Sequence, residues 1–119
     1  MTLVFVYGTL KRGGSNHRFM EDQTLVGTAS TAAGFALYDL GGYPGLVPAP
    51  GGTGAVSGEV WSVDEACLAR LDELEGTAEG LYRRENVPLA GPFAASAVQA
   101  YVYLKGTEGR PPLGSAWVG

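Results

Sequence analysis

Leu3-Val4-Phe5-Val6-Tyr7-Gly8-Thr9-Leu10-Lys11-Arg12-Gly13-Gly14-Ser15-Asn16-His17 carries two structural instructions in succession. The β-branched and aromatic run from Leu3 to Tyr7 predicts a buried strand. Gly8 ends it, residues 8–16 form a turn-rich loop, and His17-Arg18-Phe19-Met20 can open a short helix. A strand that runs into Gly-Thr and then two more glycines can turn its backbone amides into one concavity. Such a nest holds a carboxylate, a phosphate or a developing oxyanion without side-chain charge. An ordinary glycine loop has the same composition, so the segment alone leaves both readings open.

The chain has 119 residues, a length that suits a single domain over 1–119. Hydrophobic residues make up 45%, enough to bury a core, and 19 glycines with 7 prolines imply many tight turns between short elements. A long coiled coil is excluded. Eight basic against 12 acidic residues give a net charge of −4, the wrong balance for a protein that grips a nucleic-acid backbone. The local cluster Lys11, Arg12 and Arg18 reads as a solvated loop in preference to a phosphate-binding site. With one cysteine, Cys67, there is no internal disulfide, and with one histidine, His17, no Cys/His zinc site. The apolar run at residues 3–7 is too short for a signal peptide or a membrane span. These features predict a soluble cytoplasmic protein with no metal, no cofactor, and neither nucleic acid nor membrane as partner.

Outward from the first strand, residues 24–32 and 34–39 read as strands split by Gly34. Residues 41–54, punctuated by glycines and by Pro44, Pro48 and Pro50, read as hairpin and loop. Val56 to Val63 alternates like a strand. The convincing helix runs from Asp64 to Glu75: Ser62 and Glu65 form a capping-box signature, Leu68, Leu71, Leu74 and Glu75 fall at helical spacing, and Gly76 supplies the stop. Residues 84–89 and 96–104 complete the strands. The expected fold class is α+β, a small mixed, barrel-like sheet with flanking helices.

Among residues able to do chemistry, Glu75 stands out. It shares a helix face with Leu68 and Leu71, whereas Asp72 and Glu73 fall on faces that reach water. A carboxylate on the apolar stripe is desolvated, and the helix C-terminus also disfavours its charge; both raise its pKa towards the range of a general base. Fraying of the last turn would instead turn Glu75 outward. Other schemes are weaker. Gly8 and Gly13 have the spacing of a P-loop, but Gly14 stands where that motif needs lysine. Gly54-Ala55-Val56-Ser57-Gly58 has the wrong phase for a nucleophile elbow. Cys67 reads as a small core residue, and Tyr82, Tyr101 and Tyr103 as core or pocket wall. No spacing favours a pair of acids for glycoside cleavage.

Val4 to Arg18, VFVYGTLKRGGSNHR, resembles the signature of the γ-glutamylcyclotransferase-like family, most closely its γ-glutamylamine cyclotransferase branch. Gly58-Glu59-Val60-Trp61-Ser62-Val63-Asp64 resembles the family's G-E-V-[YW]-x-V-D. Leu71-Asp72-Glu73-Leu74-Glu75 resembles L-D-x-[LF]-E, and Tyr82-Arg83-Arg84 fits a Y-x-R. The loop at residues 76–81, with Glu79, departs from the pattern.

The resemblance implies that Tyr7, Gly8, Thr9 and Leu10 form the substrate-binding loop, whose amides hold the glutamyl end. It implies that Glu75 is the catalytic glutamate. The implied reaction cyclises a γ-glutamyl group to 5-oxoproline and frees an amine. The substrate's own α-amine is the nucleophile, which suits a chain with one cysteine and one histidine. The alternative is a non-catalytic module that binds γ-glutamyl groups or small anions. Glu75 argues against it, because a binder of anions gains nothing from a carboxylate in its pocket.

Overall fold

The run Leu3–Tyr7 becomes strand β1 (Thr2–Val6), and its side chains divide between the two faces with the period of two that a pleated strand imposes. Val4 and Val6 enter one hydrophobic cluster, Phe5 and Tyr7 the other. The computed structural model describes residues 1–118. Within them follow β2 (Thr24–Ser30), β3 (Phe35–Asp39), β4 (Pro44–Pro48), β5 (Ser57–Val63), helix α1 (Glu65–Leu74), β6 (Tyr82–Asn86), β7 (Gln99–Tyr103) and β8 (Pro112–Leu113). Short 3-10 helices cover His17–Met20 and Gly91–Phe93.

The strands form one mixed sheet in the order β2-β5-β1-β7-β4-β3-β8, with β6 added to β7 off this path. β7 is the branch point. β6 pairs antiparallel along all of it, while β1 meets it parallel at Val4–Gln99 and β4 meets it parallel at Leu46–Val102. The sheet therefore splays where β1 leaves β7 and β4 joins it. The Tyr7 phenol fills that gap: its hydroxyl donates to the Tyr101 carbonyl (2.6 Å) and accepts from the Leu46 amide (3.2 Å). Both main-chain groups are buried and need a partner. The expected mixed, barrel-like sheet is what forms, and it is an open one: among the described residues β2 and β8 end the path unpaired with each other.

Other boundaries moved for identifiable reasons. β4 lies inside the stretch 41–54 expected as hairpin and loop and forms a hairpin with β3; Pro44 and Pro48 sit at its two ends, where a missing N–H is tolerated. β6 begins at Tyr82, earlier than the expected residue 84, and the two-residue β8 was not anticipated. The helix cap is Asp64 rather than the expected Ser62: Asp64 Oδ1 accepts from the Cys67 amide at 2.7 Å. Ser62 is held in the sheet opposite Leu3 and Thr24, so the chain cannot turn until two residues later.

Candidate active site

The end of β1, the glycine loop, the β3–β4 hairpin, the end of α1 and strands β6 and β7 surround a cavity of about 370 Å³. Tyr7, Gly8, Thr9 and Leu10 line it, as does Glu75, so the residues singled out from the sequence meet in one place. Asn16, Tyr43, Tyr82 and Tyr101 complete much of the wall.

Glu75 is the C-cap of α1, and the helix exit is built so that it does not fray. Gly76, at φ +65°, takes the left-handed conformation that glycine adopts most easily. Its amide bonds the Glu73 carbonyl (3.2 Å) and the Thr77 amide bonds the Asp72 carbonyl (3.1 Å), the paired bonds of a Schellman motif. The turn aims Glu75 into the cavity, where it is the one carboxylate among the described lining residues. Burial pushes its pKa up to about 7. Phenols face it from three elements, Tyr7 after β1, Tyr82 on β6 and Tyr101 on β7. Burial raises the pKa of all three, so they stay protonated.

The loop opposite owes its shape to glycine and to bonds made from behind. A β-carbon on Gly14 would stand 2.2 Å from the Thr9 carbonyl oxygen, so only glycine fits there. Asn16 donates its amide N–H to the Thr9 carbonyl (2.9 Å) and its side-chain Nδ2 to Thr9 Oγ1 (3.0 Å). His17 Nδ1 donates to the Leu10 carbonyl at 2.9 Å, a bracing role for the lone histidine. Among the described residues the amides of Thr9 and Leu10 donate to no protein acceptor. The hydroxyl of Tyr7 is committed to β4 and β7, so this residue offers the cavity its ring.

Arg12 and Arg18 are exposed, as a solvated loop requires, but each cation of the cluster also has a specific partner. Arg12 pairs with the buried Glu59, its Nε 3.0 Å from Oε2, while its amide and the Trp61 indole both donate to Oε1. Burial pushes the Glu59 carboxyl up, but these donors and the guanidinium more than offset it and hold the pKa below the usual range. Lys11 Nζ donates to the Trp117 carbonyl (2.8 Å), and Arg18 Nη1 to the Ser15 carbonyl (3.0 Å). The three cations anchor chain segments in different directions. None lines the cavity.

Asp72 also departs from expectation: it does not simply face water but accepts from Arg84 and from the Tyr101 hydroxyl. Sequence reading missed this cluster and Tyr43, because nothing local marks residues brought in from separate elements; it also missed Asn16, which lies in the glycine loop itself. Tyr82 and Tyr101 do form pocket wall, and Tyr103 packs edge-on against Tyr82 in the core. Cys67 is fully buried, its Sγ 3.4 Å from the Phe19 carbonyl, and burial raises its pKa. Thiol-blocking reagents are therefore expected to leave the native protein's activity intact, as are chelators. Inactivation by EDTA and recovery with a divalent ion would contradict this.

The profile of the family described as gamma-glutamyl cyclotransferase, AIG2-like, matches residues 4–118, and the chain belongs to that family. It is 40% identical over 124 aligned positions to the gamma-glutamylaminecyclotransferase of Homo sapiens, covering 90% of this chain and 80% of the human one. The gamma-glutamylcyclotransferase family protein YtfP of Escherichia coli is 39% identical over 106 residues, covering 89% and 86%. The fold agrees. The crystal structure of an AIG2-like protein from Mus musculus superposes with a TM-score of 0.73 at 33% identity, covering 97% of this chain and 87% of the mouse one.

Proposed function

We propose that this protein converts a γ-glutamyl amine, or a related γ-glutamyl compound, to 5-oxoproline and a free amine, with Glu75 as general acid and base. The observation that carries the reading is a half-buried glutamate of pKa about 7, sharing a cavity with residues 7–10 of the glycine loop. Glu75 takes a proton from the substrate's α-ammonium. The freed amine attacks the γ-carbonyl carbon, and its C–N bond closes the five-membered ring. Glu75 then returns that proton to the departing nitrogen as the old C–N bond breaks, and the ring nitrogen sheds its second proton, which the freed amine takes up as it leaves as an ammonium. No group is left on the enzyme. Most of the help is geometric, because the substrate's ends must be held folded together, an advantage of up to ~7–11 kcal/mol in favourable cases.

The Thr9 and Leu10 amides suit the substrate's carboxylate or the developing oxyanion. Much of the lining is apolar, with Tyr43, Pro44, Leu74 and Leu81 among it. No lysine or arginine lines the cavity among the described residues, which favours a leaving group without a carboxylate beside the scissile bond. The human relative's name, gamma-glutamylaminecyclotransferase, points to the same substrate class. Cytoplasmic residence is part of this reading and suits a chain with a single, unpaired cysteine.

Release of 5-oxoproline from a panel of γ-glutamyl amines, γ-glutamyl dipeptides and glutathione tests the proposal. Binding without release across the panel would instead favour a non-catalytic module. The pH dependence gives a second measurement. A base works only when unprotonated, so kcat/KM is expected to rise with pH through about 7, following Glu75. A profile flat from pH 5 to ~8, where an ordinary carboxylate is already ionised, would rule out this base.

A further inference from the structure

Asp72 lies three residues before Glu75 on α1 and does not line the cavity. It nevertheless holds the end of the helix in two ways. Its carbonyl accepts from the Thr77 amide (3.1 Å) and the Thr77 hydroxyl (3.2 Å), which closes the turn around Glu75. Its carboxylate accepts from Arg84 on β6, with Nε at 2.8 Å and Nη2 at 3.0 Å, and from the Tyr101 hydroxyl on β7 at 2.7 Å. Arg84 Nη1 continues to Gln99 Oε1 at 2.5 Å, also on β7.

We propose that Asp72 is a positioning residue for Glu75: by gripping Arg84 and Tyr101 it pins the last turn of α1 to β6 and β7 and so fixes where the Glu75 carboxylate stands in the cavity. The proposal rests on the reading of Glu75 as the proton-transfer group. Two features distinguish this cluster from an ordinary stabilising ion pair. The pair is only part-buried, with about a quarter of each side chain exposed, a setting in which ion pairs add little stability. A two-pronged arginine–carboxylate contact instead fixes relative position, which a lysine's single point charge does not. The contact also reaches the reacting groups. The Tyr101 ring lines the cavity, and the Tyr101 carbonyl accepts from the Tyr7 hydroxyl, so one chain of bonds runs from the end of α1 to the end of β1.

The closing turn also keeps water from Glu75. The groups facing Glu75 are the phenols of Tyr7, Tyr82 and Tyr101, and those facing Asp72 are Arg84, Tyr101 and, through Arg84, Gln99. Burial alone raises the Glu75 pKa, so loosening the turn lowers it through hydration rather than through loss of the Asp72 charge.

The test uses Asp72→Ala and Tyr101→Phe, the second removing only the hydroxyl. Each variant is measured for kcat and KM on a γ-glutamyl amine. The Glu75 carboxyl is separately titrated by carbon-13 NMR without substrate. In Asp72→Ala, kcat is expected to fall roughly 10- to 100-fold with KM changed less than about threefold, the mark of a misplaced reacting group. The Glu75 titration is expected to move down from about 7 towards the ordinary 4.5. Tyr101→Phe should move both in the same direction by less, and it carries the test if Asp72→Ala does not fold. A folded variant with unchanged kcat and an unchanged Glu75 titration overturns the proposal. If the parent protein releases no 5-oxoproline, the functional reading fails, while the NMR titration still decides the positioning role.

Discussion

Glu75→Gln is expected to abolish turnover, with a rate loss of roughly 10²–10⁴ and substrate binding largely kept. The amide preserves the shape of the carboxylate at the C-cap of α1, so the Schellman turn through Gly76 and Thr77 stays intact. What it cannot do is carry a proton from the α-ammonium to the leaving nitrogen. Full activity in this variant would remove Glu75 as the acid–base group. Stability should change in the opposite sense. The folded-state pKa of Glu75, about 7, lies above its ordinary 4.5, so the folded protein binds more protons than the unfolded chain between those values. Stability therefore declines as pH rises from 4.5 to 7, and the deficit is complete at higher pH. Removing the charge should recover up to a few kcal/mol at pH 8, on the order of 3, and nothing at pH 4. Thermal melting of the two proteins at both pH values measures it. A variant less stable than its parent at pH 8 would show that Glu75 is not desolvated in this way.

Gly8→Val is expected to cost more activity than Lys11→Ala or Arg12→Ala. A β-carbon on Gly8 would lie 2.5 Å from Cγ and 2.9 Å from Cδ of Pro44. The proline ring cannot swing aside, because Pro44 opens β4 and its carbonyl accepts the Tyr82 hydroxyl at 2.8 Å. The loop must retreat instead, and the Thr9 and Leu10 amides leave their places. The overpacking should cost about 1–3 kcal/mol of stability. KM should rise at least tenfold or activity should vanish, in line with the ~10²-fold cost of an ångström's misplacement. Arg12→Ala keeps the bond from the Arg12 amide to Glu59, and Lys11→Ala frees only the tail at Trp117, so both should change KM by less. Assaying the three variants on one γ-glutamyl substrate, with folding checked by circular dichroism, decides the point. A large loss from Lys11→Ala beside a neutral Gly8→Val would shift affinity from the main chain to the basic side chains.

The two halves of the site differ in how they could be read. Glu75 was accessible from one helix: Leu68, Leu71 and Glu75 share a face by spacing alone, and Gly76 marks the stop. The Asp72 cluster was not. Asp72 looks solvent-facing on the helix, and its partners Arg84, Gln99 and Tyr101 meet it only once β6 and β7 pair in one particular register. Arg12 posed the same problem, since its charge is answered by Glu59 far along the chain on β5. The hairpin holding β4 was legible, but not the bounds of the strand, because prolines punctuate a loop and the ends of a strand equally well.

The sequence by itself determined the buried first strand, the glycine turn after it, the helix ending at Gly76 and the glutamate on its apolar face. Each of these follows from interactions within a few residues: side-chain alternation, helical spacing, and the conformational freedom of glycine. Assembly of the strands decided that the sheet splays at β7, that the Tyr7 hydroxyl bridges the gap, and that Glu75 and the glycine loop line one cavity. Those outcomes depend on which strands meet and in what register, and that is set by burial of two separate clusters against a shared sheet. The raised pKa of Glu75 belongs to both levels, because helical spacing puts the carboxylate on the buried face and only the assembled walls keep water from it.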